Sequence, residues 1–274
     1  SYNKKRPKYF DFLAKKIPNL MAPYWISFII FGAVGAMFFG RTLNYLYGGS
    51  VFDAFINFLG LNMYFKSGSM NDAWWFISLI LLFYLLFPLA FQFLDKIPAL
   101  FTILTFASLL WRSSYFVVDW IFPFCIGMVI AKYNLFVKVK QWDKLQVRLP
   151  LEVVFLVLVM YIRYLMTMHT YYSYLKTDGF IAVLVIQIMF ELFEYLGPVN
   201  KILEYLGNHS YNIYLTHSFF MSYFFFNFVY GMPEVFGYLF VLIASVASSY
   251  VIDFINSAVN KGIAKAKNKP AEAR

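Results

Sequence analysis

Apolar runs of membrane length, separated by short polar intervals, repeat along the whole chain. They cover Pro23–Phe39, Trp74–Phe93, Ile97–Trp111, Phe116–Ala131, Pro150–Met166, Gly179–Leu196, Tyr211–Tyr230 and Val235–Ala258. Most of them approach the roughly 17–25 residues that a helix needs to cross a bilayer. The pattern predicts an all-α fold, a polytopic transmembrane helix bundle of about eight spans. Ile97–Trp111 is short for a crossing. Val51–Phe65 carries Asp53, Asn57 and Asn62 within its apolar pattern, so it is expected to lie in the interface or re-enter rather than cross. In the first run Gly32, Ala36 and Gly40 recur every fourth residue, a small-residue stripe along which another helix can approach closely.

Composition supports a membrane protein over a soluble one, with 61% hydrophobic and 14% charged residues. No polar interval is long enough to fold alone, so the chain divides into a basic segment 1–22, a transmembrane bundle 23–258 and a basic tail 259–274. The single cysteine, Cys125, lies in an apolar run and allows no internal disulfide. Ser1 is followed by charged residues and no apolar leader, which argues against a signal peptide and raises the expectation of further sequence upstream.

The net charge of +9 matters through its placement. With eight crossings both termini share one side, and eighteen of the 23 Lys and Arg residues fall there. Arg41, Lys66, Arg112, Arg163 and Lys176 fall on the other side. This asymmetry places both termini in the cytoplasm. Basic residues spread over several loops form no single patch for nucleic acid, but they suit anionic membrane lipids or a phosphate-bearing ligand.

Sequence motifs exclude several chemistries. The chain has no Walker sequence, GxGxxG, CxxC or HExxH, and His169, His209 and His217 lack the spacing of a metal site, so no metal is expected. Attention falls on LEYLGNHSYNIYLTHSFF, Leu203 to Phe220. If a helix starts near Ser210, then Ser210, Tyr214 and His217 share one face, continued by Met221. An imidazole within a span should face the bundle interior, where it can take or give a proton at neutral pH. A neutral histidine that locks the bundle through Tyr214 or a neighbouring helix accounts for the same residue. Asp119, Glu152, Arg163, Glu191, Glu194 and Asp253 also lie within or at the ends of runs, mostly where they can reach water. The aromatic stretch from Arg163 to Gly179, with His169, Tyr171, Tyr172 and Tyr174, suits a headgroup belt or a sugar-stacking surface, and the belt explains it without a ligand.

Several segments, in order, resemble the acyltransferase 3 family of bacterial integral-membrane enzymes that O-acylate cell-surface sugars. They are FLAKKIPNLMAPYWISFII, NDAWWFISLILLFYLLFPL, WIFPFCIGMVIAKYNLF and the stretch that holds His217. The last is similar to the family's Leu-Gly-x-x-Ser-Tyr-x-x-Tyr-Leu-x-His signature, matched by Leu206, Gly207, Ser210, Tyr211, Tyr214, Leu215 and His217. The resemblance implies a ten-helix bundle in the family, whose first helix carries an Arg-x10-His motif with the proposed catalytic histidine. The first two helices have no counterpart in this sequence. The family's cytoplasmic Arg-x-x-Arg aligns with Lys16-Ile17-Pro18-Asn19, which keeps one charge as lysine, without the bidentate fork of arginine.

The resemblance therefore implies a membrane O-acyltransferase, with acetyl the expected group, that moves an acyl group from acyl-CoA to a hydroxyl of a cell-surface or lipid-linked carbohydrate. It implies residence in the bacterial cytoplasmic membrane and leaves the oligomeric state open. Expected site residues are His217, Tyr214 and Ser210 for catalysis, with Lys15 and Lys16 on the acyl-CoA phosphates. A non-catalytic fragment or partner subunit and a glycolipid transporter are the alternatives. The scarcity of charge deep in the runs weighs against the transporter.

Overall fold

The computed structural model describes residues 8–40, 50–67, 71–111, 116–142, 144–169 and 175–267. Among the described residues the chain is all-α, with no strand. In chain order the helices are α1 (Tyr9–Ser27), α2 (Gly35–Phe38), α3 (Val51–Phe58), α4 (Asn62–Phe65), α5 (Trp75–Lys96), α6 (Pro98–Ala107), α7 (Phe116–Asp119), α8 (Ile121–Tyr133), α9 (Leu135–Trp142), α10 (Leu145–His169), α11 (Leu175–Leu192), α12 (Pro198–Ser218), α13 (Phe226–Tyr230) and α14 (Glu234–Lys267). Phe28–Val34 and Phe219–Phe224 are π-helical.

Four helical stretches are long and apolar enough to cross a membrane: Tyr9–Val34, Asp72–Lys96, Leu145–Met168 and Glu234–Ile263. A fifth results if Val117–Tyr133 and Leu135–Trp142, bent by 63° at Asn134, make one span. Asn134 takes φ 51°, the left-handed conformation that asparagine tolerates, and this ends α8. Pro98–Leu110 is short, as its run predicted. The run Gly179–Leu196 lies in α11 as far as Leu192, and the same helix carries Asp178 before the run and Glu191 within it. The run Tyr211–Tyr230 is divided among the end of α12, a π-helical turn and α13. The boundary expected between residues 22 and 23 falls inside α1, which continues through Pro18 and Pro23.

The chain forms two compact units, with boundaries inside α1, α5 and α12. One comprises Phe10–Tyr84 and Ile202–Arg274. Its core is Met21, Tyr24, Phe28, Trp74, Ile77, Leu215 and Phe219, with Trp74 and Leu215 fully buried. The Tyr24 and Phe219 rings meet Trp74 edge-on at 4.8 and 5.5 Å, the arrangement favoured by opposed ring quadrupoles. Within this unit the Val51–Phe65 stretch is two short helices, each too short to cross. Ser50 caps α3 by accepting the Asp53 N–H at 3.0 Å. The Trp25 indole donates to the Phe58 carbonyl at 2.8 Å, and Ser78 Oγ donates to the Gly60 carbonyl at 2.6 Å. Buried side chains therefore satisfy the backbone that the break between α3 and α4 frees.

In the small-residue stripe of the first run Gly32 is buried, but Gly40 departs from the expectation. Gly40 ends the helix at φ +67° with open space beside it, and the close approach is at Gly35, where a Cβ would come 2.8 Å from the Phe224 ring. The π-helical turn of Phe28–Val34 shifts the phase of the residues beyond it, which moves the contact off the four-residue spacing. The side chain of Ala36 and all of Arg41 lie outside the described residues.

The other unit comprises Ser1–Tyr9 and Leu85–Lys201. Its core is Phe91, Leu94, Phe101, Phe122, Ile126, Met128, Val129 and Ile130. Gly179 lets α11 lie against α8, since a Cβ there would stand 3.0 Å from both Phe122 and Pro123. Tyr171, Tyr172 and Tyr174 of the aromatic stretch lie outside the described residues, as does the side chain of His169.

Candidate functional site

The signature stretch is helical throughout and does not begin at Ser210. Pro198 sits at the start of α12, where its missing N–H costs nothing, and the helix runs through Gly-Asn-His-Ser without a turn. Ser210, Tyr214 and His217 therefore lie in the second half of one long helix. Tyr211 donates to the Leu20 carbonyl at 2.7 Å, and Tyr214 donates to the Ala73 carbonyl. The Leu215 carbonyl accepts the Trp74 indole N–H at 3.1 Å. These signature residues tie α12 to α1 and to the turn Asp72–Trp74 just before α5, and Tyr214 thus has a fixed structural bond besides any role toward a substrate.

His217 is half-buried with both ring nitrogens occupied. Nδ1 lies 2.8 Å from the Tyr214 carbonyl, which can only accept, so Nδ1 carries the hydrogen. Nε2 then accepts the Ser218 hydroxyl at 3.1 Å. Ser210 does not join this group, because its hydroxyl donates to the Gly207 carbonyl at 2.8 Å and its side chain is exposed. Ser218, outside the predicted set, takes the place expected of Ser210. Lys15 and Lys16 project from α1 as exposed cations, with no ion pair among the described residues.

A second histidine is better prepared for proton transfer. His209 Nδ1 on α12 lies 3.2 Å from Asp253 Oδ2 and 3.0 Å from Ser249 Oγ, both on α14. The Ser249 hydroxyl donates to the Val246 carbonyl at 2.8 Å, leaving its oxygen to accept from Nδ1. Asn212 holds the other carboxylate oxygen, donating to Asp253 Oδ1 at 2.8 Å. The hydrogen is thus fixed on Nδ1, and Nε2 keeps a lone pair with no partner among the described residues. The Tyr205 and Tyr250 rings flank the imidazole at 4.9 and 5.0 Å, and their hydroxyls bond each other. His209 is 16% exposed and Asp253 46%. In the sequence the only hint was an aspartate inside an apolar run, because the partners sit on separate helices.

The other unit buries charge of its own. Arg148 Nε and Nη2 meet Glu191 Oε1 and Oε2 at 3.1 and 3.4 Å, and Gln187 donates to the same carboxylate at 2.8 Å. Glu191 is 1% exposed. It was expected within reach of water, but instead it is matched by an arginine that had been counted only as part of a basic loop. Arg163 pairs with Asp178, and Lys140 with Glu194 at 2.6 Å. The first joins α10 to α11, and the second joins α9 to the turn after α11 at the surface, where Glu194 is 64% exposed. No group of three metal-ligating side chains occurs among the described residues.

No curated protein and no solved structure matches the chain. A model of an acyltransferase domain matches residues 1–254, nearly the whole sequence and including the signature helix and Asp253. With that span, and with apolar helices of membrane length, the chain belongs to the acyltransferase 3 family.

Proposed function

We propose that this protein is a membrane O-acyltransferase that moves an acyl group, acetyl first among the candidates, from acyl-CoA to a hydroxyl of a cell-surface or lipid-linked carbohydrate. The observation that carries the reading is the acyltransferase match over residues 1–254. In this reading the chain crosses the bacterial cytoplasmic membrane eight times with both ends in the cytoplasm, in keeping with its basic-residue asymmetry. Lys15 and Lys16 hold the CoA phosphates, for which exposed cations on one helical turn are suited as point charges. His217, with its nitrogens engaged by Tyr214 and Ser218, orients a reactant and fixes the helix.

The test is transfer of radiolabelled acetyl from acetyl-CoA to glycan in membrane vesicles carrying the protein. Label in the glycan that mild alkali releases is the expected result, since O-esters are base-labile. Vesicles that acquire no such label refute the reading. Lys15→Ala/Lys16→Ala should raise KM for acyl-CoA about tenfold with kcat nearly unchanged, the signature of lost uniform binding.

A further inference from the structure

We propose that His209, held by Asp253, is a general base of this chain, accepting the proton of a hydroxyl that reaches its Nε2 beside the Tyr205 and Tyr250 rings. The inference rests on the acyltransferase reading above and assigns the proton transfer to a residue at a position that the family signature leaves unspecified.

A general base needs a free lone pair, a fixed orientation and a partner for the charge it acquires. His209 has all three. Nδ1 is anchored at 3.2 Å to a carboxylate, which turns Nε2 away from Asp253 and offsets the imidazolium charge. Asn212, at 2.8 Å, keeps that carboxylate from turning away. His217 lacks two of the three, because its Nε2 accepts the Ser218 hydroxyl and its Nδ1 partner is an uncharged carbonyl. The surroundings suit a sugar, whose apolar ring faces pack on tyrosine while its hydroxyls seek hydrogen bonds. Lys201 and Glu204 lie one to two turns before His209, and Asn256, Asn260 and Lys261 follow Asp253, so this end of both helices is polar and accessible to a water-soluble thioester.

In the step assigned to the dyad, the hydroxyl oxygen attacks the thioester carbonyl carbon and forms the C–O bond, and its proton passes to His209 Nε2. Collapse of the tetrahedral intermediate breaks the C–S bond. The departing thiolate takes the proton back from the imidazolium, which yields the ester and a free thiol and restores the dyad.

The experiment uses the full chain in micelles with ¹⁵N-labelled histidine. In the wild type the His209 resonances should show the Nδ1–H tautomer, and Asp253→Asn should convert it to a mixture while the melting temperature stays within a few degrees. In the acetyl-transfer assay His209→Gln and Asp253→Asn should each lower kcat about 10²-fold or more with KM little changed. A kcat within threefold of wild type for either variant overturns the proposal. If the wild type transfers no acetyl group, the acyltransferase reading fails separately, and chemical reactivity then decides on the dyad. Diethyl pyrocarbonate should modify His209 faster than His217, with the advantage lost in Asp253→Asn; equal rates in the wild type overturn the assignment.

Discussion

At the scale of residues, the decisive contacts join side chains far apart in sequence. The Arg148–Glu191 pair is enclosed, and Gln187 donates to the same carboxylate oxygen as Arg148 Nε. Removal of the cation leaves the buried Glu191 carboxylate uncompensated with Glu152 beside it, so Arg148→Ala should destabilise the protein by about 3–5 kcal/mol in a detergent melt. The double variant Arg148→Met/Glu191→Leu should recover most of that loss, because an apolar pair has no charge to desolvate. Such pairs were illegible in the sequence. Arg148 reads as one more cation of a basic loop and Glu191 as a carboxylate near an interface, and nothing in either local pattern says that α10 and α11 bring them together. His217 was legible because its neighbours on the same helix mark it, whereas His209 needed Asp253 from α14 to show its chemistry.

At the scale of elements, most apolar runs became helices near their predicted places, since their length and composition leave few alternatives. The start of α12 was misread for a local reason. Gly-Asn-His-Ser is a strong turn composition, but the helix begins at Pro198 and tolerates Gly207 in its interior. Two glycines separate the local from the tertiary effect. Gly207→Ala meets nothing within 4 Å and should stabilise the protein by about 0.5–1 kcal/mol through helix propensity alone. Gly60→Ala should cost about 1–3 kcal/mol, because φ is +70° and the new Cβ would stand 2.9 Å from Ile77 Cγ2. Thermal melts of opposite sign check both. A loss of stability in Gly207→Ala would mean that the helix interior there is crowded after all.

At the scale of the whole molecule, charge placement makes the topology testable. In a Cys125→Ala background, Gln141→Cys and Asn260→Cys should react with an impermeant thiol reagent only from the cytoplasmic side, and Glu234→Cys only from the opposite side. Labelling of Gln141→Cys and Asn260→Cys from different faces would exclude the eight-crossing arrangement. The interleaving of the two units also bears on how the chain is made. Trp74 donates to the carbonyl of Leu215, 141 residues later, with the whole Leu85–Lys201 stretch synthesised between them. At the ~5–20 residues per second of translation, the indole waits about 7–28 s for its acceptor. During that interval the first aromatic half of the core, Tyr24, Phe28 and Trp74, must be sheltered by lipid or by the insertion machinery. A nascent chain arrested before Leu215 should therefore be open to protease at the Val51–Phe65 stretch, and one arrested after α14 should be closed to it.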